Sequence, residues 1–290
     1  MSRAIRFVKG QFGRAALLEM NAPLVTHAHH HCHVLIKAGG ADALFQVQGI
    51  PCPLTDGHAV LVNAWEPHAY MHQQHAAATT EILALYIEPE WLGAAGPCGD
   101  RGGRLFTQPV VALTPRALRL ALDLMHSLRD QAEGIARFET QLAELMISVI
   151  APFFSANRTP RFHARSVAAH APQDGRIRRA MTIMQENVGT GMDMGVVAAR
   201  CGLSRAHFFE LFRRTTSITP AIYSNELRME VAFNQLACSS DPVASVAGRL
   251  GFSAPGHFTR FFLGHIGVTP RAYRQSVNSD APASHSRISR

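Results

Sequence analysis

The chain has 290 residues, 47% apolar and 17% charged, which is long enough for two domains and too apolar for a disordered protein. Its net charge of +7 is unevenly placed: residues 1–160 hold 12 Lys+Arg against 13 Asp+Glu, and residues 174–274 hold 12 against 7. A neutral front joined to a basic back points to a polyanion partner for the back half alone.

The longest apolar run, Leu142 to Phe154, is broken by Glu144, which excludes a membrane span there. Arg3, Arg6, Lys9 and Arg14 have no continuous apolar stretch behind them, so the N-terminus does not read as a secretory signal. Cys32, Cys52, Cys98, Cys201 and Cys238 are odd in number, widely spaced and without a CxxC. That usage suits free thiols in a reducing cytoplasm, and cytoplasmic localisation is the expectation.

In chain order, the first hundred residues are short apolar runs: Val34–Lys37, Ala43–Val47, Ala59–Val62 and Glu81–Ile87. Turn residues at Gly39-Gly40, Gly49, Asp56-Gly57 and Glu66-Pro67 separate them, as in an antiparallel β sandwich or barrel. Thr114 then Pro115 is a cap followed by a first-turn proline. It opens a helix with Leu118, Leu122, Met125 and Leu128 on one stripe. A second helix from Arg137 carries Phe138, Leu142, Leu145, Val149 and Ile150. The expected division is a β-rich domain with two helices over 1–155, a linker over 156–173, a helical domain over 174–275 and a disordered tail over 276–290. The two helices 115–130 and 137–152 are the expected homodimer contact; packing only on the sheet would produce the same periodicity.

The back half repeats itself. Val197-Ala198 to Gly202-Leu203-Ser204, His207-Phe208, Leu211-Phe212, Thr219-Pro220 and Tyr223 recur some fifty residues later. The second copy runs Val246-Ala247 to Gly251-Phe252-Ser253, His257-Phe258, Phe261-Phe262, Thr269-Pro270 and Tyr273. Each copy has a short helix with small residues, a glycine for the tight turn and a serine to cap a second helix, the parts of a helix-turn-helix. Phe208, Leu211 and Phe212 are the expected inward residues of the first reading helix, leaving Arg205, Ala206, Phe209, Glu210 and Arg213 outward. In the second, Gly256, Thr259 and Arg260 are the expected outward ones.

From Gly175 to Arg274 the chain resembles the DNA-binding domain of the AraC/XylS bacterial transcription regulators. The second copy carries most of the likeness, in Val246-Ala247, Gly251-Phe252-Ser253, His257-Phe258, Arg260, Phe262, Gly267-Val268-Thr269-Pro270 and Tyr273-Arg274. The first copy departs at Ser217, where the family usually has Gly. The resemblance implies an α+β chain of two domains: an N-terminal cupin-like antiparallel β-barrel, two helices, then an all-α domain with two helix-turn-helix units joined by the helix containing Arg228. It implies a double-stranded promoter as partner, successive major grooves about 34 Å apart, RNA polymerase for an activator, and no enzymatic role. By position, the base-reading residues are Ala206, Phe209 and Glu210 in one unit and Gly256, His257, Thr259 and Arg260 in the other. Arg260 suits a guanine, Glu210 a cytosine amine, and Phe209 or Ala206 a thymine methyl. Arg213 and Arg214 suit phosphates, and Arg205 either role.

Nine of the 16 histidines lie between His27 and His75. His27, His29, His31 and His33 alternate, so a strand would set them on one face with His30 opposite. The front half also resembles the cupin sensor domain common in this family, where His-x-His-x-x-x-Glu and a later Pro-His line the barrel. Here His27, His29 and His33 occupy that frame, with His33 in place of Glu, and Pro67-His68 follows, with Trp65 where Gly is usual. Four converging imidazoles would hold Zn, Fe, Ni or Cu. Without a metal they would line a polar effector pocket beside Trp65, Tyr70 and His72. A metal-dependent cupin enzyme with a helical appendage is the alternative, but it has no clear acid–base pair and leaves the basic repeat without a purpose.

Overall fold

The computed structural model describes residues 2–72, 79–95, 105–130, 134–153, 174–189 and 193–278. The expected linker and residues 279–290 of the expected tail lie outside them. The N-terminal half runs β1 (Arg3–Gly10), β2 (Gly13–Met20), β3 (Cys32–Gly40), β4 (Ala43–Val47), β5 (Ile50–Leu54), β6 (His58–Val62), β7 (His68–Met71), β8 (Thr80–Ile87), α1 (Pro89–Ala95) and β9 (Val110–Ala112). Then come α2 (Pro115–Asp130) and α3 (Ile135–Ile150). The C-terminal half is α4 (Gly175–Glu186), α5 (Met194–Arg200), α6 (Arg205–Thr216), α7 (Pro220–Cys238), α8 (Val243–Arg249), α9 (Pro255–Ile266) and α10 (Pro270–Asn278). Helix α10 therefore takes in the first three residues of the expected tail. No helix of the described residues is long and apolar enough to cross a membrane.

The strands form two antiparallel sheets, ordered β1-β2-β8-β3-β6-β9 and β5-β4-β7. They are not joined into a closed cylinder, so the expected barrel is an open two-sheet domain. Pro51 and Pro53 sit on β5, an edge strand, where a missing N–H donor is tolerated. Strand alternation gives the large sheet two apolar faces. Ala16, Leu18, Leu35, Val60, Ile82 and Ala84 face Phe45, Cys52, Leu54 and Tyr70 of the small sheet. Ala15, Leu17, Val34, Ile36, Leu61 and Leu83 lie instead under α2 and α3, against Leu124, Met125, Leu142 and Leu145. The two helices thus pack on the sheet. Thr114 caps α2 as its Thr-Pro start implied, accepting from the Ala117 N–H at 3.1 Å.

The β1–β2 hairpin is not among the strands expected from apolar runs, since Arg3, Arg6, Lys9 and Arg14 interrupt its apolar residues. Arg6 and Arg14 are in fact buried. The hairpin is also the seam of the molecule. The interior of the two-sheet domain continues without a break into the second helical unit, through Met229, Phe233, Phe258, Phe262 and Tyr273. Phe7 of β1 meets Tyr273 of α10 edge-on, with ring centroids 4.8 Å apart. Trp65 lies 5.3 Å from Tyr223, at the core of the first helical unit. Both helical units are therefore docked on the N-terminal domain.

Candidate nucleic-acid interface and histidine cluster

Two units of like construction stand on either side of α7. Gly202 and Gly251 take positive φ (+70° and +77°) at the turns, where a side chain would be strained. Ser204 caps α6, accepting from the His207 N–H at 3.3 Å. The matching expectation for Ser253 fails. Helix α9 starts two residues later, at Pro255, with Ala254 as an N-cap that makes no side-chain bond. The second turn is one residue longer, which moves Ser253 off the N-cap position, and Pro255 at the first helical position leaves one fewer unpaired N–H. Ser253 instead bonds the His257 ring at 3.3 Å. Thr219 and Thr269 cap α7 and α10, each accepting from an N–H at 3.2 Å, so the repeated Thr-Pro is a helix start in both copies.

Phe208, Leu211, Phe212, Phe258 and Phe262 are buried. Arg205, Ala206, Glu210, Arg213 and Arg214 are exposed on α6, and Gly256, His257 and Arg260 on α9. Phe209 and Thr259 are half-buried. Phe209 lies under the Arg205 guanidinium, 5.6 Å from its ring centre. Arg205 also approaches Asp193 at 3.6 Å, and the Thr259 hydroxyl donates back to the Pro255 carbonyl at 3.1 Å. Of the expected reading residues, Arg260, Glu210 and the Arg213-Arg214 pair therefore present the freest polar groups. At the end of each reading helix the chain turns left-handed, at Ser217 (φ +63°) and Gly267 (φ +78°).

The structure gathers four of the histidines. Ring nitrogens of His27, His29 and His68 all lie within 4.8 Å of one another. His33 Nδ1 is 3.2 Å from His29 Nε2 and 3.3 Å from His68 Nε2. A tetrahedral ion with bonds of about 2.0–2.1 Å sets its ligand nitrogens about 3.3 Å apart. The two His33 spacings match that, while His33 stands outside the group of three whose nitrogens all lie within 4.8 Å of one another. His33 Nε2 is buried with no hydrogen-bond partner. Burial, reinforced by the facing imidazoles, holds His27, His29 and His33 well below the ordinary histidine range, and burial lowers His68 to about 4. All four rings are thus neutral near pH 7, the form that ligates a metal. Backbone carbonyls orient three of them: Val25 for His27, His31 for His29 and Glu66 for His68.

His31 leaves this group, correcting the expectation of one continuous strand face. His27 makes an isolated β-bridge to His68, and His33 pairs within β3, which begins only at Cys32. A bend at His30 and His31 turns both rings away, towards Glu88 (3.5 and 3.1 Å). His30 also reaches Glu226 of α7 at 3.2 Å. Burial lowers the His30 pKa, but its hydrogen bonds to Glu226 and Glu88 outweigh that and push it up to about 9. Sequence spacing could not show this pairing, because the partners lie 196 residues apart.

The expected pocket residues do not meet in one place. Tyr70 is buried against Phe45, His72 is 6.2 Å from Tyr70, and Trp65 is docked on Tyr223. Trp65 has φ +62°, which explains why glycine is usual there. A cleft of about 370 Å³ opens elsewhere, between the domains, lined by Thr26, Gln46, Gln48, Gly49, Pro67, His68 and Ser217. One histidine of the cluster thus reaches its wall.

Comparison with known proteins agrees with this architecture. Residues 197–276 match a family model described as a helix-turn-helix domain. The transcriptional activator RhaR of Yersinia pseudotuberculosis is 23% identical over 255 residues, covering 87% of this chain and 84% of RhaR. The regulatory protein PocR of Salmonella typhimurium is 32% identical over 127 residues, 43% of this chain and 39% of PocR. ToxT of Vibrio cholerae shares the fold at a TM-score of 0.55 and 7% identity, over 91% of this chain and 98% of ToxT. Tandem helix-turn-helix units behind an antiparallel sheet domain define a DNA-binding transcription regulator. The chain thus carries a helix-turn-helix domain over residues 197–276 and is similar to transcription regulators over most of its length.

Proposed function

We propose that the chain is a cytoplasmic transcription activator whose grip on promoter DNA responds to a small molecule or metal held in the N-terminal domain. One observation carries the reading: the segment that bears the cluster histidines is fastened to the second reading helix. The Val25 N–H donates to the Gly264 carbonyl of α9 at 2.8 Å, and the His27 ring bonds the Val25 carbonyl at 2.8 Å. The His265 ring of α9 lies 6.1 Å from His27. A ligand that rearranges His27 therefore acts on α9 through two residues, and favours whichever domain arrangement binds it better.

His27, His29, His33 and His68 would hold the metal, and Zn, Fe, Ni or Cu accept such neutral imidazoles. The ion would supply a cross-link between the 27–33 segment and β7. The polar cleft beside His68 and Ser217 suits a small polar effector. Exposed Leu122, Ile135 and Ile147 on α2 and α3 support a homodimer through those helices. Contact with RNA polymerase belongs to the same reading.

The test is an electrophoretic shift with the chain's own upstream DNA, at several salt concentrations, with and without zinc and a small-molecule panel. Sequence-selective binding that weakens steeply with salt is expected, with at least one compound changing affinity. Equal, feeble affinity for every duplex would overturn the regulator; selective binding indifferent to every ligand would overturn only its control.

A further inference from the structure

A second group of ligating side chains lies across the boundary between the domains, apart from the four clustered histidines. His30, His31, Glu226 and Glu230 each bring a ligand atom within 4.8 Å of the others. His30 and His31 come from the bend before β3 of the N-terminal domain. Glu226 and Glu230 are one turn apart on α7, the helix that joins the two helix-turn-helix units. We propose that this group is an interdomain site for a divalent transition metal of the zinc type, which clamps α7 to the N-terminal domain.

Three features carry it. The first is donor chemistry: two imidazoles and two carboxylates form a set that zinc, cobalt and nickel accept. Charge is the second. Three carboxylates (Glu88, Glu226 and Glu230) gather here against the one guanidinium of Arg14, which contacts a single oxygen of Glu230 at 2.7 Å. The protonated His30 between Glu226 and Glu88 leaves one negative charge unmatched. A divalent cation that takes the place of its proton brings the sum to zero, and unmatched charge is costly where Glu226 and His31 are both buried. The third is an unmet group: His31 Nδ1 is buried with no hydrogen-bond partner. Glu88 lies beside both imidazoles and orients them, as carboxylates do behind metal-bound histidine. Because the ligands come from both domains, the ion binds the docked arrangement and not the separated one, and so stabilises docking by mass action.

The experiment uses the full chain, stripped with a chelator and titrated with Zn²⁺ and Co²⁺. Metal stoichiometry, cobalt visible absorption and hydrogen exchange are read in wild type and two variants. His27→Ala/His68→Ala, which disables the four-histidine cluster, should still bind one ion and show at least tenfold slower exchange of α7 amides when zinc is added. Glu226→Gln/His30→Asn should lose that ion and the protection of α7. Equal binding by Glu226→Gln/His30→Asn, or no binding by His27→Ala/His68→Ala, would overturn the site. Should the former variant fail to fold, Glu230→Asp serves instead. It keeps the charge, so zinc affinity should fall at least tenfold at unchanged circular dichroism, and undiminished affinity would refute the clamp.

Discussion

Arg14 of β2 and Glu230 of α7 form an ion pair at 2.7 Å that crosses from the N-terminal domain to the DNA-binding domain. The Arg14 side chain is only 5% exposed, and its guanidinium lies over the rings of Phe233 (4.1 Å) and Tyr86 (5.2 Å). Removing one member of such a pair strands the other charge in a low-dielectric interior. Glu230→Leu should destabilise the full chain by about 3–5 kcal/mol in urea unfolding. A loss under 1 kcal/mol would mean that water reaches Arg14 and that the docking is loose.

Arg260 and Arg213 separate base reading from phosphate holding. Arg260→Ala should weaken specific binding by about 1–3 kcal/mol, relax the choice of base at one position and leave random DNA unaffected. Arg213→Ala should weaken all duplexes alike and reduce the salt slope by about 1. Equal losses on specific and random DNA for Arg260→Ala would take Arg260 out of base reading.

Ser217 ends α6 with φ +63°, where its counterpart at the end of α9 is Gly267 at +78°. A side chain in that region carries strain that glycine avoids. Ser217→Gly should therefore stabilise the protein by about 0.5–1 kcal/mol, even after the entropy cost of a glycine in the unfolded chain. A lower melting temperature would show that the Ser217 side chain does something the strain argument omits.

The histidines set opposite pH limits. His68, ordinarily near 6.5, is lowered to about 4 by burial, so protons bind the unfolded chain better. Its contribution to the metal-free protein is present above pH 6.5 and is lost as pH falls towards 4, by order of 1.4 kcal/mol per pH unit. His30 is raised to about 9, so its contribution is present below pH 6.5 and is lost as pH rises through 9. Together the two contributions should place the stability maximum near pH 6.5, with a decline towards pH 9 as His30 loses its proton. Urea midpoints should already fall between pH 6.5 and 5, before most carboxylates titrate. Equal midpoints at pH 7 and 5 would contradict the buried neutral cluster.

Leu122 and Ile147 stand exposed on α2 and α3 although the same helices bury Leu124 and Leu145 on the sheet. Leu122→Arg/Ile147→Arg should convert a dimer into a monomer by light scattering, at an unchanged melting temperature. A wild-type monomer at micromolar concentration would remove these helices as an interface.

Local signals in the chain were enough for the helical domain. The repeated small-residue helix, turn glycine and apolar stripe need only short-range geometry, and Gly202, Gly251, Phe208 and Phe258 sit as their spacing requires. The pairing of His27 and His29 with His68 was likewise legible, because two spaced motifs named the same site. Four strand positions, β3, β4, β6 and β8, followed from apolar runs between turn residues.

Other features depended on partners remote in sequence. The first hairpin could not be read from apolar runs, and the burial of its Arg14 rests on Glu230 and Phe233, more than two hundred residues away. The period-two run of histidines promised one shared face, but a bend at His30 splits it, sending one set inward and the other to α7. Periodicity records which residues could lie together on a straight element. Only the packing of one domain on the other decides where the chain turns aside and which buried charge finds its counterpart.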